Sequence, residues 1–161
     1  MASDSGSETR RAHELIVGDV QALSAESDQL GRTFSAEQGI GVNDFHALLH
    51  VMVAESIGAP LTQRELSERV DVSGAAVTYL VDRMVKTGHL RREPHSSDRR
   101  KTVLRYGDHG SDVARAFFTP LSEHMETALR DFTVADLETA HHVMAAVIEA
   151  MRRFRTGLRD K

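Results

Sequence analysis

The chain has 161 residues, 40% of them hydrophobic, which suits one domain, or one domain with a dimerisation extension. It contains no cysteine, which excludes disulfides, thiolate metal sites and a cysteine redox switch in this chain. The net charge of −4 is unevenly spread: residues 62–105 hold ten of the 20 Lys+Arg and only six of the 24 Asp+Glu, so this segment is basic and its flanks are acidic.

Residues 1–7 are small and polar, and disorder is expected there. A helix is predicted from near Glu8 to about Phe34, because Ala12, Leu15, Ile16, Val20, Leu23, Leu30 and Phe34 recur at helical spacing. Gly39-Ile40-Gly41 breaks the chain. Asn43 is then expected to cap a second helix with Phe45, Leu48, Leu49, Met52 and Val53 on its apolar side. Gly58-Ala59-Pro60 ends it.

The next stretch, residues 61–106, carries the most information. Thr62 with Glu65 makes a capping box for a short helix bearing Leu66 and Val70. Val70-Asp71-Val72 is a turn, and Ser73 caps the following helix. Val77, Leu80, Val81, Met84 and Val85 give that helix one buried face, and Gly88 stops it. Its other face starts with Gly74, Ala75, Thr78 and Tyr79. Small residues there allow close approach to base edges, and the hydroxyls suit bases and phosphates. An ordinary exposed helix surface is the plain alternative. Leu90–Glu93 and Thr102–Arg105 are predicted to pair as strands around a polar loop, Pro94 to Lys101. Arg99, Arg100 and Lys101 are consecutive at its tip. Three cations together repel one another and make sense opposite phosphates or a narrow minor groove. Helix, turn, helix and basic hairpin read as a winged helix-turn-helix.

Beyond Gly110 a helix is expected to about Asp131, kinked at Pro120. Thr133 with Asp136 is expected to cap a last helix, whose apolar positions are Leu137, Ala140, Val143, Met144, Val147, Met151, Phe154 and Leu158. The first and last helices carry more apolar surface than a small winged-helix core can cover, so a partner subunit is expected. The predicted fold class is mainly α with a small β-wing, flanked by long N- and C-terminal dimerisation helices. The units are a disordered 1–7, a first dimerisation helix with a support helix over 8–60, the DNA-binding lobe over 61–106, and C-terminal dimerisation helices over 107–161.

The run Leu61-Thr-Gln-Arg-Glu-Leu66, the helix ending Val81-Asp82-Arg83-Met84 with Gly88, and Asp98-Arg99-Arg100 followed by Gly110 resemble the multiple-antibiotic-resistance regulator (MarR) family. The resemblance extends over nearly the whole chain in the number and position of its helices. It implies a dimeric winged-helix transcription factor, a repressor on a palindromic operator, released by a small and commonly aromatic anion. The DNA-contacting set it implies on the two helices is Thr62, Gln63, Ser73, Gly74, Ala75, Thr78, Tyr79 and Arg83. On the wing it is Asp98, Arg99, Arg100 and Lys101, with Asp98 bracing the loop, Arg99 nearer phosphate and Arg100 in the minor groove. The family pattern Leu-Thr-x-x-Gly after the second wing strand is here Tyr106-Gly107-Asp108-His109-Gly110. With Gly107 in place of the capping Thr, Asp108 or Ser111 is expected to cap the next helix.

The resemblance also implies a pocket for the small effector. Phe45, His46, Leu49, His50, Phe117 and Phe118 could line an effector cavity. Arg11 or His13 could pair a carboxylate. His46 and His50 also have a chelating i, i+4 spacing, yet no third ligand singles itself out, so no metal and no cofactor is expected. His141-His142 point in different directions on a helix. No nucleophile elbow, phosphate loop or dinucleotide fingerprint is present, so no enzyme is predicted. The start has no apolar leader core and no run reaches membrane length, so a cytoplasmic protein with double-stranded DNA as partner is expected. The rival reading is a helical protein-interaction or metal-buffering module that keeps the winged-helix fold without specific DNA binding.

Overall fold

The computed structural model describes residues 2–98 and 100–159. The chain divides into two compact units, Met1–Phe117 and Phe118–Lys161. In order the elements are α1 (Ala2–Gln38), α2 (Val42–Ser56), α3 (Gln63–Val70), α4 (Gly74–Lys86), β1 (Leu90–Pro94), β2 (Thr102–Tyr106), α5 (Asp108–Leu129) and α6 (Val134–Arg159). The mainly helical architecture with one small antiparallel sheet is the expected one.

α1 starts at Ala2, so disorder over residues 2–7 is not what the structure shows, and Met1 lies outside the described residues. Once a helix is nucleated, adding small polar residues to its end costs little, and composition alone does not mark that end. α1 also runs four residues past Phe34, to Gln38, where Gly39 takes a positive φ of 63°.

The start of α2 differs from expectation. Its N-cap is Gly41, not Asn43, which lies inside the helix. The Gly41 amide donates to the Asp44 carboxylate at 3.0 Å, so Asp44 supplies the cap from the third helical position. Asn43 loses because the chain already turns helical at Val42. Gly58, φ 70°, closes the far end as predicted.

The winged-helix boundaries follow the local chemistry. The Thr62 amide donates to Glu65 at 2.7 Å, and the Glu65 amide donates to the Thr62 hydroxyl at 3.3 Å. These bonds hold the Glu65 carboxyl below its usual range. Asp71 ends α3 in the left-handed region at φ 54°, and Ser73 accepts from the Ala76 amide at 3.2 Å. Gly88 has φ 76°. Val77, Leu80, Val81 and Met84 are buried, whereas Val85 is only half-buried. With Leu48, Val51, Leu61, Leu66, Leu90, Val103 and Leu104 they make the lobe's core.

The strands pair Leu90 with Tyr106 through Pro94 with Thr102, each one residue longer than predicted. Pro94 tolerates this because it stands at the strand end. Sequence periodicity did not show that the sheet has a third, one-residue rung: Thr62 bridges Val103, and the Leu104 amide donates to the Leu61 carbonyl at 2.7 Å. That rung ties the start of α3 to the wing. The far side of β2 is tied to α2. The Tyr106 hydroxyl donates to the Leu48 carbonyl at 3.0 Å, and Glu55 accepts from the Tyr106 amide at 3.4 Å and from Arg105 at 3.5 Å. Burial pushes the Tyr106 phenol up, with Glu55 adding to the effect.

α5 begins at Asp108, ahead of the expected start. The Ser111 amide already donates to the Gly107 carbonyl at 2.9 Å, so both proposed caps lie within the helix. The missing Thr has a steric reason. A Cβ at Gly107 would stand 2.2 Å from the Gly88 carbonyl oxygen, and one at Gly110 would stand 2.2 Å from that of His89. The two glycines let the backbones meet, with the Gly107 amide donating to His89 at 2.9 Å and the Gly110 amide to Gly88 at 3.2 Å. α5 continues through Pro120.

In the second unit, Thr133 and Asp136 form the predicted reciprocal cap of α6, with amide bonds of 3.0 and 3.2 Å. Leu137, Val143, Ile148, Met151, Phe154 and Leu158 remain exposed along α6, as do Leu15, Val17 and Leu23 along α1. No helix among the described residues is long and apolar enough to cross a membrane.

Candidate nucleic-acid interface

The buried face of α4 decides which residues are left outside. With Val77, Leu80, Val81 and Met84 turned into the core, Ser73, Gly74, Ala75, Thr78 and Tyr79 are all exposed. Tyr79 is 70% exposed, unusual for so large a ring. Gly74 has open space where a side chain would stand, so the first turn of α4 presents bare backbone.

The exposed polar groups are not independent. Gln63 on α3 donates from its side-chain amide nitrogen to the Thr78 hydroxyl at 2.8 Å, and Thr78 donates to the Gly74 carbonyl at 2.8 Å. Arg92 on β1 donates to the Gln63 amide oxygen at 3.3 Å and to Asp82 on α4 at 2.6 Å. One network therefore joins both helices and the base of the wing. The pairing of Arg92 with Asp82 is not legible in the sequence, because an i, i+10 spacing has no helical or strand meaning.

Arg83 stands differently from the DNA-contacting role given to it. Its guanidinium bonds the carboxylate of Asp44, which is buried, and lies 5.3 Å over the Tyr79 ring. The Asp44 hydrogen bond pushes the Arg83 pKa up, and Arg83 thus anchors α4 to the capped start of α2. An apolar residue periodicity cannot reveal such a pair, since Asp44 and Arg83 are 39 positions apart. An open groove of about 390 Å³ runs along this contact, lined by Val42, Asp44, Val72, Ala76, Tyr79, Leu80 and Arg83 among others.

At the wing tip, Asp98 accepts from the Arg100 amide at 3.1 Å and its carbonyl accepts from the Lys101 amide at 2.9 Å. Asp98 is thus placed to brace the loop. Arg100 is 93% exposed at its side chain, and among the described residues its guanidinium makes only a long 3.5 Å approach to Asp98. Lys101 is exposed, and Arg99 lies outside the described residues. Thr62 is spent on its capping box and is half-buried.

The effector set is not brought together as a whole. Phe45 is buried, with Phe34 at 5.4 Å between centroids, and Phe34 meets Phe117 edge-on at 4.9 Å. This is a core cluster, and Gly31 makes room for it, since a Cβ there would stand 2.5 Å from the Phe45 ring. His46, Leu49 and His50 on the same helix are half-buried, and the His46 ring lies 5.8 Å from that of Phe45. Phe118 falls in the second unit. Arg11 and His13 are exposed on α1, roughly 30 Å along the helix from Gly31, too far to share a cavity with Phe45 in one chain. Among the described residues no group of three or more His, Cys, Asp or Glu stands close enough to hold a metal.

Residues 38–101 match the family model described as MarR family. A curated relative, the uncharacterized HTH-type transcriptional regulator YcgE of Bacillus subtilis, is 35% identical over 79 residues, covering 49% of this chain and 51% of the relative. The match thus spans about half the length of that relative. Among solved structures, a MepR mutant from a multidrug resistant S. aureus clinical isolate superposes with a TM-score of 0.64 at 15% identity, covering 81% of this chain and 93% of that one. The S. aureus MepR–DNA complex superposes with a TM-score of 0.53, also at 15% identity, covering 81% and 92%. The family model matches over the segment that holds α2 to the wing, and the chain shares the winged-helix fold of MepR: the structure is a winged helix whose central segment resembles the MarR family.

Proposed function

We propose that the protein is a homodimeric, sequence-specific DNA-binding regulator, a repressor acting in the cytoplasm on a palindromic operator, with no catalytic chemistry of its own. The observation that carries this is the pairing of an exposed, small-residue face on α4 with the exposed Arg100 and Lys101 of the wing tip. Gly74, Ala75, Thr78 and Tyr79 stand out from a helix whose other side packs into the core through Val77, Leu80, Val81 and Met84, and Arg100 reaches into solvent from a loop braced by Asp98. A helix of this kind suits a major groove, and a cation at the end of a hairpin suits a minor groove. The DNA-bound MepR structure, which shares the fold, supports the same reading. The exposed apolar stripes of α1 and α6 support a dimer, whose two-fold axis would match a palindrome.

The division of labour follows from groove chemistry. Arg100 supplies affinity with little base identity, with Lys101 and Arg99 nearer phosphate. Thr78 and Tyr79 supply identity. Arg83, tied to Asp44, acts from behind by holding α4. The test measures binding to the DNA upstream of the protein's own gene and to random DNA at several salt concentrations. Arg100→Ala is expected to weaken both and to flatten the salt dependence by roughly one counterion-release unit. Thr78→Ala is expected to cost about 1–3 kcal/mol on the operator alone. An unchanged salt slope for Arg100→Ala would remove the wing from the interface and favour the interaction-module reading.

Release by a small aromatic anion is part of the proposal. Its support is His46, half-buried with its ring 5.8 Å from Phe45 of the Phe34–Phe45–Phe117 cluster, and Leu49 and His50 half-buried on the same helix, which together offer ring surface and imidazole donors. The ligand must prefer the arrangement that cannot bind DNA. Titrating aromatic carboxylates, and separately zinc, into the operator assay tests it. A shift with zinc alone that His46→Ala abolishes would replace the anion with a metal.

A further inference from the structure

The network behind Thr78 has a direction. Arginine can only donate hydrogen bonds. Arg92, seated between Asp82 at 2.6 Å and Gln63 at 3.3 Å, therefore requires the amide oxygen of Gln63 to face it. The Gln63 NH₂ is then the group that faces Thr78, and at 2.8 Å it donates to the hydroxyl oxygen. The hydroxyl hydrogen is spent on the Gly74 carbonyl, also at 2.8 Å. A threonine hydroxyl has one donor and two acceptor positions. Here the donor and one acceptor position are occupied, and one lone pair is left, on an exposed oxygen at the second turn of α4.

Resting on the DNA-binding reading above, we propose that Thr78 is a hydrogen-bond acceptor only, and that it recognises an exocyclic amino group, cytosine N4 or adenine N6, in the major groove. Arg92 and Asp82 are the positioning residues that set this polarity from the wing. In the major groove the amino groups of cytosine and adenine are the donors, while guanine N7 and O6, adenine N7 and thymine O4 are acceptors. A hydroxyl free to rotate would read either kind. Turning the Thr78 hydrogen toward a base acceptor would aim a lone pair at the Gly74 carbonyl and leave that carbonyl unpaired on this side. The relay thus makes a residue that is indifferent by itself into a reader of one class of base edge.

The arrangement also gives Arg92 a role unlike that of Arg100. Arg100 is almost wholly exposed, whereas the Arg92 side chain is 36% exposed and committed to two partners. Its loss should alter what Thr78 reads and leave the count of phosphate contacts unchanged.

The experiment uses the full-length protein and its operator. Single bases are replaced by analogues that lack one group: purine for adenine and a 4-deamino pyrimidine for cytosine remove the amino group, and 7-deazapurines remove the N7 acceptor. Each is measured with wild type, Thr78→Val and Arg92→Met. At one base position, loss of the amino group should weaken wild-type binding by about tenfold and leave Thr78→Val binding unchanged. Loss of N7 should weaken both proteins alike. Arg92→Met should reduce the amino-group effect at that same position and keep the wild-type salt slope. Coupling of Thr78→Val to N7 or to thymine O4 would overturn the proposal, as would coupling to no base at all. A drop of the salt slope by about one unit for Arg92→Met, equal on all sequences, would make Arg92 a phosphate contact and overturn its positioning role. If wild type showed no preference for operator over random DNA, the DNA-binding reading itself would fail, an outcome distinct from each of these.

Discussion

The winged-helix lobe and the terminal helices solve the same problem, an amphipathic surface, in opposite ways. In the lobe, Leu66, Val81, Met84, Leu90, Val103 and Leu104 are almost completely shielded, and each neighbouring element is tied by a bond that crosses it: Leu104 to Leu61, Tyr106 to Leu48, Arg83 to Asp44. On α6, Phe154 is 70% exposed and Met151 55%, and the ion pair Arg153–Glu149 stays on the helix's own surface. A helix this apolar on one side gains stability only when that side is covered. The lobe thus covers its own apolar surface, whereas the apolar faces of α1 and α6 stay open, and the second subunit of the proposed dimer would cover them.

The largest effect should come from removing the open surface. Truncation from Val143 onward is expected to give insoluble or unfolded protein, because each large apolar side chain buried in the dimer contributes about 1.5–3 kcal/mol. The double change Met151→Glu with Phe154→Glu should give monomer by analytical ultracentrifugation. A well-folded, soluble monomer from the truncation would show that the apolar face of α1 needs no covering partner and would break the contrast. Next, Leu66→Ala inside the lobe should lower unfolding free energy by about 3 kcal/mol, measured by denaturant titration at a fixed protein concentration. A loss below about 1 kcal/mol would mean that the lobe's core is far looser than its burial indicates.

Asp44→Ala tests the tie between α2 and α4. It removes the cap of α2 and leaves the Arg83 guanidinium without its carboxylate, so a loss of about 2 kcal/mol is expected, less than for a wholly buried pair because Arg83 is 42% exposed. Asp44→Ala combined with Arg83→Met should recover part of it. Thr62→Ala should cost about 1 kcal/mol through the capping box, read in the same titration.

The smallest effect is one of pH. His89 is buried at the junction of α4, β1 and α5, with its Nδ1 2.8 Å from the Thr87 hydroxyl, its Nε2 without a hydrogen-bond partner among the described residues, and His109 edge-on at 4.7 Å. Burial holds its pKa below the ordinary value, with His109 acting in the same sense and Asp44 against. The unfolded chain takes up the proton first as pH falls. Stability is therefore full above the ordinary histidine range and declines as pH drops from there toward the lowered folded value, by no more than about 1.4 kcal/mol per pH unit. Thermal melts of wild type and His89→Phe across this range should differ in slope, with the variant flatter. Parallel curves would show that His89 titrates as freely folded as unfolded.

What could be known before the fold was known is local. Thr62 with Glu65, Ser73, Gly88, and Thr133 with Asp136 announce helix ends because capping acts within a few residues of sequence, and the 3.6-residue rhythm of Val77, Leu80, Val81 and Met84 announces which side of α4 is buried. From these the lobe, its outward residues Thr78 and Tyr79 and its basic tip could be named. Where a local rule had two candidates, the chain chose the other one: Gly41 and Asp44 cap α2 in place of Asn43, and α1 reaches back to Ala2. What only the tertiary structure decided are the relations between distant residues. Arg83 turns to Asp44, Arg92 joins Asp82 and Gln63, Gly107 and Gly110 admit the Gly88–His89 backbone, and Phe45 is core while Arg11 and His13 lie far from it. None of these pairs repeats at a helix or strand period, because the geometry that joins them is set by packing of whole elements, and packing leaves no periodic trace in the sequence.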